Sequence, residues 1–336
     1  LLYGHYDVMP PDPLEEWGSP PFEPTIRDGR IYARGAGDNK GQHFAQSRAV
    51  ESYLAVHGRL PCNVIVLLEG EEETGSPSIA EFVRTHRDML KADLVVTADG
   101  PMHVSRRPSI SHGCRGIVAF ESRARHASRD VHSGSFGGVV PNPIWRLVHL
   151  LATMKDPAGQ VTIDGFYDGV VPPTDRECDA LARLPLHIEV LKDSLGLSRL
   201  NNPSDLSLAE RLMFYPTLTI NGFRGGYGGS GVKTVLPHQA VVKCDVRLVD
   251  RQNHEDVFSK IEKHVEKHAP DVELVLLEAT PPSKTPIDPP FSSVIPRAVQ
   301  VAQGVEPLIY PSAAGTCRIY FHRDPWCPIV RCALCQ

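Results

Sequence analysis

Residues 64–76 read Val64-Ile65-Val66-Leu67-Leu68-Glu69-Gly70-Glu71-Glu72-Glu73-Thr74-Gly75-Ser76. Five apolar residues end abruptly in four glutamates within five positions. A short, near-continuous apolar run suits a strand buried on both faces of a parallel sheet. Two other runs have the same form. Residues 1–3 lead through Gly4 to His5 and Asp7, and residues 94–97 lead to Asp99. Helical patterns lie between them. Residues 41–57 carry Phe44, Ala45, Val50 and Leu54, and Gly58 supplies a stop. Ser76-Pro77 reads as a helix start, with Ile79, Phe82, Val83 and Leu90 as an apolar face. Strand–helix–strand alternation of this kind predicts an α/β domain.

The middle of the chain has a different pattern. Residues 117–122 and 241–249 read as strands, the latter alternating through Val242, Cys244, Val246 and Leu248. Residues 144–154 and 257–265 read as helices, and 156–173 as loop or insertion. Residues 281–290 are proline-rich and read as a return linker, followed by a helix over 291–303. The expected organisation is an α/β domain (1–109 and 281–336) interrupted by an α+β domain (110–280). A length of 336 residues agrees with two cores.

Bulk composition excludes several classes. Hydrophobic residues make up 41% and charged residues 22%, as in globular proteins. The net charge of −5 leaves no basic footprint for nucleic acid or an anionic membrane. No apolar run approaches the ~20 residues of a membrane span. Cys62, Cys114 and Cys244 lie in apolar runs and read as buried, reduced thiols, and a cytoplasmic location is expected. Cys327, Cys332 and Cys335 crowd the end, and Cys332-x-x-Cys335 alone is too little for structural zinc. Gly226 to Thr234 nearly spells a phosphate loop, but Val232 separates glycine from Lys233 and Pro237 follows where a helix is needed.

The three run ends carry chemistry. Sites in parallel sheets form beyond the carboxyl ends of strands, and parallel neighbours lie ~5 Å apart. His5, Asp7, the glutamates and Asp99 therefore have a route to one or two cations. Asp38 joins them from Arg34-Gly35-Ala36-Gly37-Asp38-Asn39-Lys40-Gly41. Taken singly, the glutamates read as a solvated loop, Asp38 as a helix N-cap and His5 as a packed histidine. Adjacent Glu72 and Glu73 point opposite ways on an extended chain, so one suits metal binding and the other proton transfer.

These strings resemble the M20 metallopeptidase family. The matching segments are Gly4-His5-Tyr6-Asp7-Val8-Met9-Pro10, the Arg34-to-Gly41 string, Glu71-Glu72-Glu73-Thr74-Gly75-Ser76, Asp99, and Asp130-Val131-His132-Ser133-Gly134. They stand in family order over nearly the whole chain to about Tyr320, and lean to the carnosinase and cytosolic dipeptidase branch. The resemblance implies a zinc-peptidase-like catalytic domain and an inserted lid that also makes a homodimer contact. It implies two divalent ions (zinc or manganese, with cobalt also suited). His5 and Asp99 hold one, Glu73 the other, and Asp38 bridges them. Glu72 becomes the general base, Asp7 orients His5, and the Asp38–Asn39 peptide is cis. His132 becomes a lid histidine that stabilises an oxyanion. Thr234, Arg247 and Thr316 contact the substrate, with Arg247 taking a carboxylate two-pronged. Read alone, His132 is a loop residue and Arg247 half of a structural ion pair.

The implied reaction is amide hydrolysis in dipeptides or small peptides. Deacylation of N-acyl amino acids and a non-catalytic dimerisation module are the competing expectations. Two departures from the family pattern carry further expectations. The chain opens at the first metal-binding strand, and no family-like histidine follows Thr316, because His322 comes too soon. The tail from Phe321 to Cys327 reads as an out-of-frame end, so weak metal binding is expected of the chain as given.

Overall fold

The computed structural model describes residues 1–100, 103, 105–201, 205–287, 291–313 and 329–333, with backbone alone for 291, 292 and 329–333. Thr316, His322, Cys327 and Cys335 lie outside the described residues.

From the start of the chain, β1 (Leu2–His5), β2 (Thr25–Arg27) and β3 (Arg30–Tyr32) lead into α1 (Gly41–His57), which Gly58 ends in the left-handed conformation at φ 70°. Then come β4 (Val66–Glu69), α2 (Ile79–Thr85), α3 (Arg87–Leu90), β5 (Val95–Thr97) and β6 (Ser109–Ser111). A crossing strand, β7 (Gly113–Cys114), precedes the insert. The insert holds β8 (Gly116–Arg125), β9 (Val131–His132), α4 (Ser133–Phe136), α5 (Pro143–Met154), α6 (Asp175–Ala182), α7 (Ile188–Leu195) and α8 (Leu208–Phe214). It continues with β10 (Thr217–Gly225), β11 (Val235–Leu236), β12 (Gln239–Leu248), α9 (His254–His268) and β13 (Glu273–Thr280). The chain returns through β14 (Ser283–Lys284) to α10 (Phe291–Gln303), β15 (Leu308–Tyr310) and β16 (Ile329–Ala333).

Two sheets divide these strands. A six-stranded sheet has the order β15-β6-β16-β5-β1-β4, parallel throughout except where β16 meets β6. Helices cover both faces. Val95 packs with Ile79 and Val83 on one face, and its neighbour Val96 with Val299 and Ile295 on the other. This is the expected α/β fold with a mainly parallel sheet. The second sheet is antiparallel, β10-β12-β8-β13, with α5 and α9 on one face. Its core alternates as the sequence predicts: Val242, Cys244, Val246 and Leu248 point inward onto Phe120, Leu147, Leu150 and Ile261.

Three sequence expectations need correction. The break expected after residue 109 falls within β6, which belongs to the six-stranded sheet; the two crossings instead run side by side as β7 and β14. Residues 64–68 were expected to be buried on both faces, yet Val66 and Leu68 of β4 are exposed, as are Phe44 and Leu54 of α1. The reason is position, since β4 is the edge of the described sheet. Ser76 is no helix cap; its φ is 48° and its hydroxyl donates to Glu69 Oε1 at 3.0 Å. Two helices in the insert went unread although each opens with a capping box, Thr174 with Glu177 and Ser207 with Glu210. They pack Leu181, Leu184, Met213 and Phe214 against Leu308 of β15, so the insert reaches back to the first sheet. A buried ion pair, Lys284 Nζ to Glu177 Oε1 at 2.7 Å, fastens that contact.

Candidate metal centre

Parallel register sets the centre. β1 pairs with β4 so that His5 lies opposite Glu69, and β5 flanks β1 on its other side. The residues just beyond these strands must therefore meet at one edge of the sheet. Asp38 arrives from the turn before α1, where its backbone is extended (φ −142°, ψ 97°) and the Asp38–Asn39 peptide is cis. Asp38 does not cap α1. Lys40 holds that place with no side-chain cap bond. The close approach of this turn to β1 depends on Gly4, where a Cβ would stand 2.9 Å from Asn39 Oδ1 and from His43 Cβ.

His5 is buried, 1% exposed, and both ring nitrogens are engaged. Nδ1 lies 3.2 Å from Asp7 Oδ1 and Nε2 lies 3.1 Å from Asp38 Oδ1. With Nδ1 donating to the Asp7 backbone carbonyl at 3.3 Å, the Nε2 lone pair faces Asp38, the tautomer a metal-binding histidine needs. Asp7 Oδ2 also accepts from the Glu73 backbone N–H at 2.9 Å, which ties the acidic turn to β1. One donor atom each from His5, Asp38 and Glu73 lies within 4.8 Å of the others. Asp99 is not in that trio, but its charge acts on both His5 and Glu72.

The four glutamates separate by role. Glu69 turns inward and accepts from the hydroxyls of Tyr3 and Ser76. Burial, and then Glu69 itself, hold the Tyr3 phenol well above its ordinary value, so it stays a donor. Glu71 Oε2 accepts from the Ser78 N–H at 3.2 Å, at the start of α2. Glu73 supplies a donor to the cluster, and Glu72 beside it feels the charges of Asp99, His5, Glu73 and Asp38. Burial and then the charge of Asp99 push Glu72 up to about 7, with Glu73 and Asp38 adding and His5 opposing. Burial and then Asp38 raise Glu73 above the usual carboxylate range, against His5. Burial pushes the His5 imidazole down, but Asp99, Glu72, Asp38 and Asp7 together carry it above its ordinary value. Carboxylates crowded around one imidazole repel unless protons or cations intervene. A trio of one nitrogen and two oxygen donors fits a divalent cation.

The insert carries the other expected residues in two places. His132 on β9 and Thr234 beside β11 meet through the β9–β11 pairing, His132 Nε2 to Thr234 Oγ1 at 2.9 Å. Arg247 lies on β12, where its Nε donates to Asp245 Oδ2 at 3.1 Å. Two supporting residues went unnoticed in the sequence, although both stand in the Arg34-to-Gly41 string. Asn39 Oδ1 accepts from the His5 N–H at 3.2 Å, and Lys40 Nζ donates to the Tyr6 carbonyl at 2.5 Å.

The model of peptidase family M20/M25/M40 matches residues 1–333. The chain belongs to this family. Within it, the chain is 35% identical over 273 residues to human beta-Ala-His dipeptidase, covering 81% of this chain and 53% of that protein. It is 32% identical over 270 residues to the Cys-Gly metallodipeptidase dug1 of Schizosaccharomyces pombe, covering 80% and 57%. The chain thus spans about half the length of the curated relatives it matches. Among solved structures, the M20 family metallo-carboxypeptidase Sso-CP2 from Sulfolobus solfataricus superposes with a TM-score of 0.88 at 34% identity, over 98% of this chain and 76% of that one. Human carnosine dipeptidase 1 superposes with a TM-score of 0.77 at 30% identity, over 98% and 72%. Membership in this peptidase family implies divalent metal ions, in agreement with the donor set at the strand tips. No described helix is long and apolar enough to cross a membrane.

Proposed function

We propose that this chain carries the metal centre and lid of a dipeptidase that hydrolyses the amide bond of small peptides bearing a free carboxylate. The observation that carries the reading is the convergence of His5, Asp38 and Glu73 with Glu72 on the same turn. His5 and Asp99 would hold one divalent ion and Glu73 a second, with Asp38, its side chain 67% exposed, bridging them. Such ions would supply Lewis acidity to the scissile carbonyl and bring the pKa of a nearby water towards ~7. Zinc and manganese both suit this donor set.

Within that centre, Glu72 takes the proton of the attacking water and returns it to the leaving amine. Asp7 holds the His5 ring in place through its backbone carbonyl at Nδ1, with its carboxylate close by. With the His132 Nδ1 accepting from the Gly134 N–H, its Nε2 carries the proton, and that hydrogen bond passes from Thr234 Oγ1 to the developing oxyanion when substrate enters. Thr234 is then free to contact the substrate, and Arg247 binds the substrate carboxylate. Thr316 is assigned a substrate contact by family resemblance. A homodimer through the lid is supported by the edge strand β10, which exposes Ile220 and Phe223. Cys62, expected to be buried, is exposed beyond the end of α1, as is Cys178, and two exposed thiols suit a reducing compartment such as the cytoplasm.

Similarity to Sso-CP2, named a carboxypeptidase, favours one second reading: removal of C-terminal residues from longer peptides. Both readings need the same carboxylate anchor. A panel of dipeptides and pentapeptides separates them. The shared chemistry is tested by Glu72→Gln in the metal-loaded protein, which should retain its ions by elemental analysis and lose turnover. Undiminished hydrolysis would remove Glu72 from the mechanism.

A further inference from the structure

The hairpin of β2 and β3 and the loop after β1 enclose a cavity of about 430 Å³. Two guanidinium groups converge there on adjacent residues of the loop. Arg34 lies over the Trp17 ring, 5.0 Å from its centroid, and Arg27 Nη1 approaches the Gly18 carbonyl at 3.5 Å. Arg27 also lies over the Tyr32 ring, 4.4 Å from its centroid. The Trp17 ring is itself held, because its indole N–H donates to the Pro11 carbonyl at 2.6 Å. Arg34 Nη2 donates to the Pro10 carbonyl at 3.0 Å, and its Nε is buried without a partner. Asp12 and Glu16 line the same cavity. Among the described residues, neither guanidinium forms an ion pair with these two carboxylates or with any other.

Like charges brought together in this way are unfavourable unless an anion joins them. Two carboxylates in the same cavity would ordinarily do so, yet here they stand beyond ion-pair distance. Stacking on Trp17 and Tyr32 holds the guanidinium planes and leaves N–H edges free for a pair of oxygens. The cavity thus keeps two cations and two anions apart, with the volume of a small-molecule site between its walls. A ligand with one charge of each sign satisfies both sets. A simple anion satisfies the guanidinium groups alone and is repelled by Asp12 and Glu16.

We propose that this cavity binds a free α-amino acid, its carboxylate held by Arg27 and Arg34 and its ammonium group by Asp12 and Glu16. Ile31 and Ala33 line the remainder and suit a short aliphatic side chain. Ala36 and Gly37 close one side and lead directly to Asp38, so the site adjoins the metal centre without sharing a donor with it. Free amino acids are the class of molecule that peptide hydrolysis releases. The charges of the cavity select them whatever bond the metal centre cleaves.

Calorimetric titration of L-leucine into the full chain tests the site. Leucine should bind in a mode that Arg247→Ala leaves unchanged and that Arg27→Met weakens by roughly tenfold or more, as expected when a charge-assisted bond is lost. Arg27 is exposed on the hairpin, so its replacement should leave folding intact. A second variant works from the other wall: Asp12→Asn with Glu16→Gln, both at exposed positions. It should weaken leucine by a similar factor. The same variant should bind 4-methylpentanoate, which is leucine without its ammonium group, more tightly than the unaltered chain does. The unaltered chain should prefer leucine to 4-methylpentanoate by roughly tenfold. A leucine mode that Arg27→Met does not weaken, or that Arg247→Ala removes, overturns the proposal. So does equal binding of 4-methylpentanoate by the unaltered chain, which would make the cavity a plain anion site.

Discussion

The strand-tip cluster and the lid pair are built in opposite ways. His5, Asp38 and Glu73 come from three segments that parallel register and one tight turn force together, and His5 is buried. His132 and Thr234 come from a two-residue ribbon on an inserted domain, and their mutual bond is exposed. The first arrangement is fixed by the sheet that carries it. The second is precise only within itself, and its use depends on where the insert stands. Under the proposed function, the chemistry that must not move stands on strand ends and the chemistry that must admit a substrate stands on a ribbon.

Four substitutions or treatments break or sharpen this contrast. The largest effect belongs to Glu72→Gln, where loss of proton transfer should lower kcat by about 10²- to 10⁴-fold while metal content is unchanged. His132→Ala comes next. Loss of one oxyanion donor should lower kcat by about 10²- to 10³-fold, again with metal content unchanged. If His132→Ala instead releases metal, the two regions are not separable. Metal loading is third. An ion at a hundred times its dissociation constant adds ~2.7 kcal/mol to the folded state, so the unfolding midpoint should rise by several degrees and fall back on chelation. A midpoint indifferent to chelator would show that the trio binds no ion. Smallest is Tyr3→Phe, which leaves Glu69 one donor short in a buried site. It should cost about 1–3 kcal/mol in denaturant unfolding without altering the number of ions bound. A loss of ions in Tyr3→Phe would mean that Glu69 positions the donors and does more than brace the strands.

Legibility in the sequence followed the same divide. The order of runs ending in His5, Glu69–Glu73 and Asp99 is visible because each run is apolar to its end and the first charge marks that end, even in β4, which is not covered on both faces. The insert's sheet was visible through the alternation of Val242, Cys244, Val246 and Leu248. The assignment of individual glutamates was not. Glu69 and Glu71 carry the same side chain as Glu72 and Glu73, yet one braces β1 through Tyr3 and another sits at the start of α2. Arg115 gave no signal at all, since nothing in Cys114-Arg115-Gly116 hints at a buried guanidinium donating to the Leu212 carbonyl and the Thr217 hydroxyl.

By itself, then, the chain's pattern of apolar runs and punctuating charges determined an α/β sheet with acidic and imidazole groups at its strand ends, because periodicity and strand termination are local properties. Only the folded arrangement decided which carboxylates face the cluster, which way the His5 ring is turned, and that β4 and α1 show apolar residues to the outside. Those outcomes depend on neighbours distant in sequence. Burial, charge and hydrogen bonding are set by what stands opposite a side chain, and that is known only when the strands are in register.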